Sequence, residues 1–404
     1  MKLLVTNRTD LEKCVDTAYE PEKSIVLRYC NALDFGMPPD EGANFKVWLH
    51  RISLREGARI FYLLNYHGVD IYIMDESSLM HTKTLKSIDG CVTIATCKLQ
   101  GYDRVVFESG GNTGTALTTY GQEAKLETFF FCPEENLSLL NSKVFEPKQA
   151  HLISVKKPGW VKEAAQTFGK SNNLKHIPEI IWRYRASMLR GLFILEHMLE
   201  SITFDWLTQT ISAAFGPVGI FKVIEGFSQE IRHTPRFLGI QQEVNCPMYQ
   251  AWKSNRTTIE PAEMNSTEPL LTKVMYDVRP HSYGSYDDLR KLLVNKSAYL
   301  TTINHAEFDN FLAEDFGGKT ILSWFQENGV EITVRNGDVV EKTGLIALAG
   351  TLKEIDTGII AKGSKVLCCL TSGISEAEAQ VEPEFRITKL DMIADYSKVV
   401  FGKQ

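Results

Sequence analysis

No stretch of about 18 apolar residues occurs in the 404-residue sequence, so no membrane-spanning helix is expected. None of the eight cysteines forms a Cys-x-x-Cys pair, and most have apolar neighbours. Zinc sites and a disulfide framework are therefore both unexpected. His-Glu-x-x-His spacing is also absent, and no metal is expected. Basic charge is not in excess, since 44 Lys+Arg oppose 50 Asp+Glu for a net charge of -6. That balance gives no footprint for nucleic acid and no polybasic membrane anchor. Internal repeats, low-complexity tracts and Pro/Ser linkers are lacking too. The opening Met1-Lys2-Leu3-Leu4-Val5-Thr6-Asn7-Arg8 turns polar too early for a signal peptide. A cytoplasmic globular protein is the expectation. With 44% hydrophobic residues, the length suits two or three domains.

What is present is a repeated alternation of short β-branched or aromatic runs with helical patterns. Strands are expected at 70–74, 105–108, 128–132, 152–155, 209–215, 237–242, 297–301, 331–334 and 365–370. Helices are expected at 87–98, 114–125, 160–168, 187–201, 220–231, 285–293, 321–327, 342–351 and 376–379. This order argues for an α/β fold with parallel sheets covered by helices on both faces. Ligands in such folds bind at the carboxyl ends of strands, where glycine-rich turns meet helix N-termini.

Four segments fit that description. Glu108-Ser109-Gly110-Gly111-Asn112-Thr113-Gly114 follows a strand and opens a helix. Its glycines admit a ligand close to the backbone, or simply make a turn. Phe215-Gly216-Pro217-Val218-Gly219-Ile220 repeats the pattern, and its backbone amides suit a phosphate nest. No Walker lysine accompanies it, which excludes a P-loop. Leu367-Cys368-Cys369-Leu370-Thr371-Ser372-Gly373 ends an apolar strand with two hydroxyls, suited to a ring atom or to a turn cap. Finally, Lys86 in Thr82-Lys83-Thr84-Leu85-Lys86-Ser87 stands at a helix start. The dipole there eases formation of a neutral amine nucleophile, the alternative being a solvated lysine.

In this order the four segments resemble the lysine loop, the S-S-G-N-T-G loop, the phosphate loop and the late T-G-x-G of the fold type II pyridoxal-phosphate enzymes, in particular the threonine synthase and cysteate synthase-like group. Arg28-Tyr29, Ser53-Leu54-Arg55-Glu56-Gly57, Leu238-Gly239-Ile240-Gln241-Gln242-Glu243 and Cys246-Pro247 are similar to further family segments. The stretch Val274 to Leu289 is closer to the cysteate synthase branch. The resemblance spans roughly Arg28 to Gly373. Departures are Ser87 for Asp, Ile88 for Arg and Gly110 for Ser.

The resemblance implies two parallel-sheet αβα domains with pyridoxal 5'-phosphate in the cleft between them. The expected division is an N-terminal extension (1–60) on the large domain, a large cofactor domain (61–100 and 200–404), and a small mobile domain (101–199) carrying the Ser109–Gly114 loop. Lys86 is implied as the catalytic Schiff-base lysine. Asn112 would meet the ring's 3′-oxygen. Gly216, Pro217, Val218, Gly219 and Ile220 would hold the phosphate, and Thr371 the pyridine nitrogen. Thr84, Ser109, Gly110, Gly111 and Thr113 would receive the substrate. Elimination or replacement at the side chain of a small amino acid follows, with O-phosphoserine first. Basic residues available for its phosphate are Lys83, Lys156, Lys157, Arg183 and Arg185. The alternatives are threonine synthase acting on O-phosphohomoserine, a dehydratase-type lyase or racemase, and a catalytically dead ligand-binding relative. A homodimer is the implied assembly.

Overall fold

Strands whose two faces are both apolar need cover on both sides, and the chain meets this need twice. The computed structural model describes residues 2–35, 39–260, 268–276, 286–295, 298–377 and 381–402. The first sheet has six strands. They are β1 (Arg59–Tyr66), β2 (Val69–Asp75), β7 (Trp206–Thr210), β8 (Arg236–Gln242), β9 (Tyr299–Ile303) and β10 (Lys365–Leu370). Their order is β9-β8-β7-β10-β2-β1, all parallel except the edge strand β1. The second sheet has five parallel strands. These are β3 (Arg104–Glu108), β4 (Glu127–Pro133), β5 (Ala150–Val155), β6 (Lys175–His176) and β11 (Phe385–Ile387), in the order β11-β5-β4-β3-β6.

Two-residue periodicity sorts the side chains of the first sheet. Ile71, Ile73, Val366 and Cys368 enter one core, under the helix α6 (Thr343–Asp356). Met74, Leu367 and Cys369 enter the other, with α1 (Lys86–Leu99), α4 (Ile180–Glu200) and α5 (Phe215–Gly226). All eight cysteines are free, and seven are buried. The second sheet is flanked by α2 (Asn112–Glu123) and α3 (Val161–Asn172). Among the described residues no helix is long and apolar enough to cross a membrane.

Several expected boundaries shift. The strand expected at 209–215 lies at 206–210, and residues from Phe215 onward are already helical. The strand expected at 331–334 is only a two-residue pairing, Val334–Arg335, outside both main sheets. Residues 378 and 379 of the helix expected at 376–379, and 277–285 of the segment from Val274 to Leu289, lie outside the described residues, while Glu376 and Ala377 are not helical. Phe385–Ile387, grouped by sequence with the large domain, completes the second sheet.

The N-terminal segment is fastened by buried polar groups. Glu56 is fully buried and accepts hydrogen bonds from Ser24 (2.8 Å), Ser53 (2.5 Å), the Leu54 amide (2.9 Å) and the Tyr120 hydroxyl (2.5 Å). Four donors replace the water lost on burial of the carboxylate. Gly57 must be glycine, because a Cβ there would lie 2.0 Å from the Glu22 carbonyl oxygen. Arg28 forms a bidentate pair with Glu196 at 3.0 and 2.8 Å, which Tyr29 joins through its hydroxyl. These segments, which carry part of the family resemblance, are joints of the scaffold.

His151 ties the C-terminal strand to its sheet. It bridges Glu384 (2.6 Å) and Glu127 (3.1 Å) and stacks on Phe129 with ring centroids 4.4 Å apart. Burial pulls its pKa down, but the two carboxylates outweigh burial and hold it above the ordinary imidazole value. A raised folded-state pKa gives stability that is complete below the unfolded value of about 6.5 and is lost as pH rises through the folded value. Urea unfolding across that range should show stability falling with pH, and His151→Gln should flatten the fall. An equally steep fall in the variant would remove His151 from this role.

Candidate active site

A cavity of about 400 Å³ opens between the sheets, a volume suited to a small-molecule ligand. Its walls come from the carboxyl ends of strands in both sheets. β3 ends at Glu108, β6 at His176, β7 leads to Ile211, and β10 to Thr371 and Ser372. Lys86 begins α1 and points into this space. Its turn is held by the Leu85 amide on the Thr371 carbonyl (3.0 Å) and by the Thr82 amide on Ser87 Oγ (3.0 Å). Lys86 Nζ lies 2.8 Å from the nearly buried Asp89. Burial lowers the lysine's pKa, Asp89 opposes this, and Arg183 and Arg190 push it further down. The site therefore eases formation of the neutral amine that nucleophilic chemistry needs. Lys83, its rival in sequence, instead lies 3.7 Å from the Glu376 carboxylate and does not line the cavity.

Ser109, Gly110, Gly111, Asn112 and Thr113 line the opposite wall, and Thr84 lies beside Lys86. Gly111 caps α2 at a φ of +151°, a conformation that favours glycine, and its amide donates to Ser109 Oγ at 3.1 Å. Gly110 has a different reason to lack a side chain. A Cβ there would stand 2.8 Å from the Val274 carbonyl oxygen and 2.9 Å from the Tyr276 ring. Asn112 reaches across the cleft to donate to Glu341 at 3.2 Å. Thr371 and Ser372 are buried beside the cavity, and Ser372 Oγ has no hydrogen-bond partner among the described residues.

The phosphate-nest expectation needs correction. Gly216, Pro217, Val218, Gly219 and Ile220 are not a loop but the first turns of α5. Only Gly216 of the five lines the cavity. The Val218 amide is committed to the Ala214 carbonyl (3.3 Å), and proline has no N–H to offer. Gly219 is a packing glycine, since a Cβ would meet Ser187 Cβ at 2.4 Å and the Tyr184 carbonyl oxygen at 2.9 Å. The turn that faces the cavity lies about five residues earlier, from Ile211 to Gly216. It contains Ala214 at a φ of +56° and ends in the amides of Phe215 and Gly216 at the helix start.

Of the five basic residues expected to face a substrate phosphate, only Arg183 reaches the cavity. Its guanidinium also lies over the Phe215 ring at 4.9 Å. Lys157 rests on Trp160 at 4.3 Å. Lys162, Gln166 and the hydrogen-bonded pair of Glu108 and His176 (2.5 Å) line the same cavity, and of these only Glu108 falls in a segment that the sequence singles out.

No family model matches the sequence. The cysteate synthase of Methanosarcina mazei is 22% identical over 357 residues, covering 83% of this chain and 80% of that protein. The cysteate synthase of Methanospirillum hungatei is 22% identical over 175 residues, covering 42% of this chain and only 37% of that protein. Among solved structures, Escherichia coli threonine synthase aligns with a TM-score of 0.64 at 10% identity, covering 100% of this chain and 92% of that one. Diaminopropionate ammonia lyase from Escherichia coli aligns at 0.58 and 12% identity, over 89% and 92% of the two chains. The fold is that of the fold type II pyridoxal-phosphate enzymes. Within it, two departures noted from sequence lie off the cavity. Ile88 is core, and Ser87 is buried as the acceptor that closes the lysine turn.

The reassignment of Gly219 is testable. Gly219→Ala should destabilise the protein by about 1–3 kcal/mol through overpacking of α4 against α5. The affinity of the folded protein for a phosphate-bearing ligand should stay unchanged in a titration. Loss of that affinity without loss of stability would return Gly219 to the nest.

Proposed function

We propose that the protein is a pyridoxal-phosphate-dependent lyase or synthase acting on a small amino acid with a leaving group on its side chain. The observation that carries this reading is Lys86, held at a helix start in the cavity with its pKa lowered by burial. The surroundings fit the cofactor. The Ile211–Gly216 turn and the start of α5 offer a phosphate cradle. The unpartnered Ser372 Oγ, with Thr371 beside it, offers a neutral hydroxyl for the pyridine nitrogen. Asn112, on the cavity wall, would meet the ring's 3′-oxygen, and Lys86 is the amine that would hold the aldehyde carbon. When bound, pyridoxal phosphate supplies an electron sink that stabilises a carbanion at the substrate's Cα.

The chain's own residues then divide the remaining work. Ser109, Thr113 and the amides at the start of α2 receive the substrate carboxylate. Lys86 Nζ takes the Cα proton. Neutral hydroxyls at positions 371 and 372 do not force the pyridine nitrogen to stay protonated, which favours elimination and replacement over transamination. O-phosphoserine is the substrate of choice, supported by similarity to two cysteate synthases and by Arg183 and Lys162 on the cavity wall.

Borohydride reduction of the protein loaded with pyridoxal phosphate, followed by peptide mapping, should place the label on Lys86. Lys86→Ala should abolish both label and turnover, and a label on Lys83 would sink the assignment. Thr371→Asp should leave the cofactor bound while shifting products towards transamination. An unchanged product ratio would make Thr371 a turn residue only. Side-by-side assays with phosphoserine and phosphohomoserine decide the substrate, and a higher specificity constant for threonine formation would replace this reading with threonine synthase.

A further inference from the structure

The reaction proposed above uses one titrating residue, yet the cavity wall carries a second titratable pair. Glu108 ends β3 directly before the Ser109 loop, and His176 ends the neighbouring strand β6. Their side chains are hydrogen-bonded through His176 Nε2 at 2.5 Å. Both line the cavity, and the imidazole is a third exposed while Glu108 is 19% exposed. The pair joins the ends of two neighbouring parallel strands and at the same time faces the cavity. The charged groups facing it are Lys162 from α3, Arg183 from α4 and Lys86 from α1. A second cavity touches His176 and Gln166 from the far side and adds Lys170 of α3. Glu108 is thus the one carboxylate among these cavity-lining groups, and its hydrogen bond to Nε2 fixes the orientation of the imidazole.

Resting on the proposed lyase or synthase reading, we propose that His176 is the general acid that protonates the leaving group, with Glu108 as its positioning residue. In this step the bond from the substrate's Cβ to the leaving oxygen breaks and the oxygen keeps the electron pair. An N–H proton of the imidazolium passes to that oxygen. Lys86 Nζ receives the Cα proton and the two carbons gain a double bond. The imidazole regains its proton from solvent through its exposed edge, and Lys86 releases one. A hydroxyl oxygen needs such a proton to leave and the oxygen of a phosphate dianion gains from one; chloride needs none.

The experiment compares phosphoserine, serine and β-chloroalanine as substrates of the wild type, His176→Asn and Glu108→Gln, each loaded with pyridoxal phosphate. His176→Asn should lose about 100-fold or more in kcat/KM on phosphoserine and serine, in line with general acid catalysis, while turnover of β-chloroalanine is retained. Glu108→Gln, which keeps a hydrogen-bonding side chain, should show a smaller loss with the same selectivity. The wild type should lose rate on phosphoserine as pH rises through the imidazole range, and His176→Asn should not. Equal loss on all three substrates, no loss, or an unaltered pH profile overturns the acid role while Lys86 labelling still stands. A wild type that takes up no cofactor overturns the lyase reading and this inference together.

Discussion

A buried ion pair sets the geometry on which the cavity depends. Glu76 is fully buried just after β2, and Arg190, 1% exposed, projects from the middle of α4. Arg190 Nη2 binds Glu76 at 2.6 Å and Gln209, near the end of β7, at 2.8 Å. Arg190 Nη1 and the Gln209 amide crowd the space where a Cβ of residue 216 would fall, so a side chain there would displace the ends of these hydrogen-bonded groups. Three chain segments meet there: the approach to Lys86, the long helix, and the turn into α5. Burying two charges is costly, and removing one partner alone costs about 3–5 kcal/mol because the other is left uncompensated. The pair thus fixes the register of the lysine turn against the cavity-facing turn before α5 more than it adds to net stability.

That constraint explains why glycines cluster along the α4–α5 contact. Gly191 would place a Cβ 2.9 Å from the Ile220 carbonyl oxygen, and Gly219 would place one against Ser187. With both lacking side chains, the two helices approach at backbone distance. The start of α5 is then brought beside Lys86 rather than a side chain's width away. Gly191 and Gly219 thus serve helix approach, whereas Gly216 is the glycine of this contact that also lines the cavity.

Sequence patterns were informative where local physics dominates. The apolar strands 105–108, 128–132 and 365–370, each flanked by a helix, recur in the structure within two residues. Edge strand β1 is missing from the sequence reading because its burial alternates poorly and its register slips between Tyr62 and Leu64. The turn before α5 was displaced for a related reason. Glycine in sequence marks permissive backbone, but Gly216 and Gly219 adopt helical geometry, while the left-handed residue is Ala214. Lys86 was legible because a lysine before an apolar helix is a local signal. His176 was not, because its strand is two residues long and its partner Glu108 is 68 positions away.

The same distinction bears on substrate choice. A donor set chosen for one small molecule is strongest where its members come from different segments, since no single loop can then drift without losing the geometry. Here the Ser109–Thr113 loop hangs on β3 and α2, the lysine on β2 and α1, and the cationic wall of Lys162 and Arg183 on α3 and α4. Asn112, bonded to Glu341, is the polar link across the cleft between the loop and the residues that lead into α6. A substrate that draws its carboxylate to the loop and its distal anion to Arg183 and Lys162 spans elements of both sheets. One lacking the distal anion engages the loop and lysine alone. Discrimination between the two then rests on Arg183 and Lys162, and the Asn112–Glu341 bond holds the loop in place across the cleft from the residues that lead into α6.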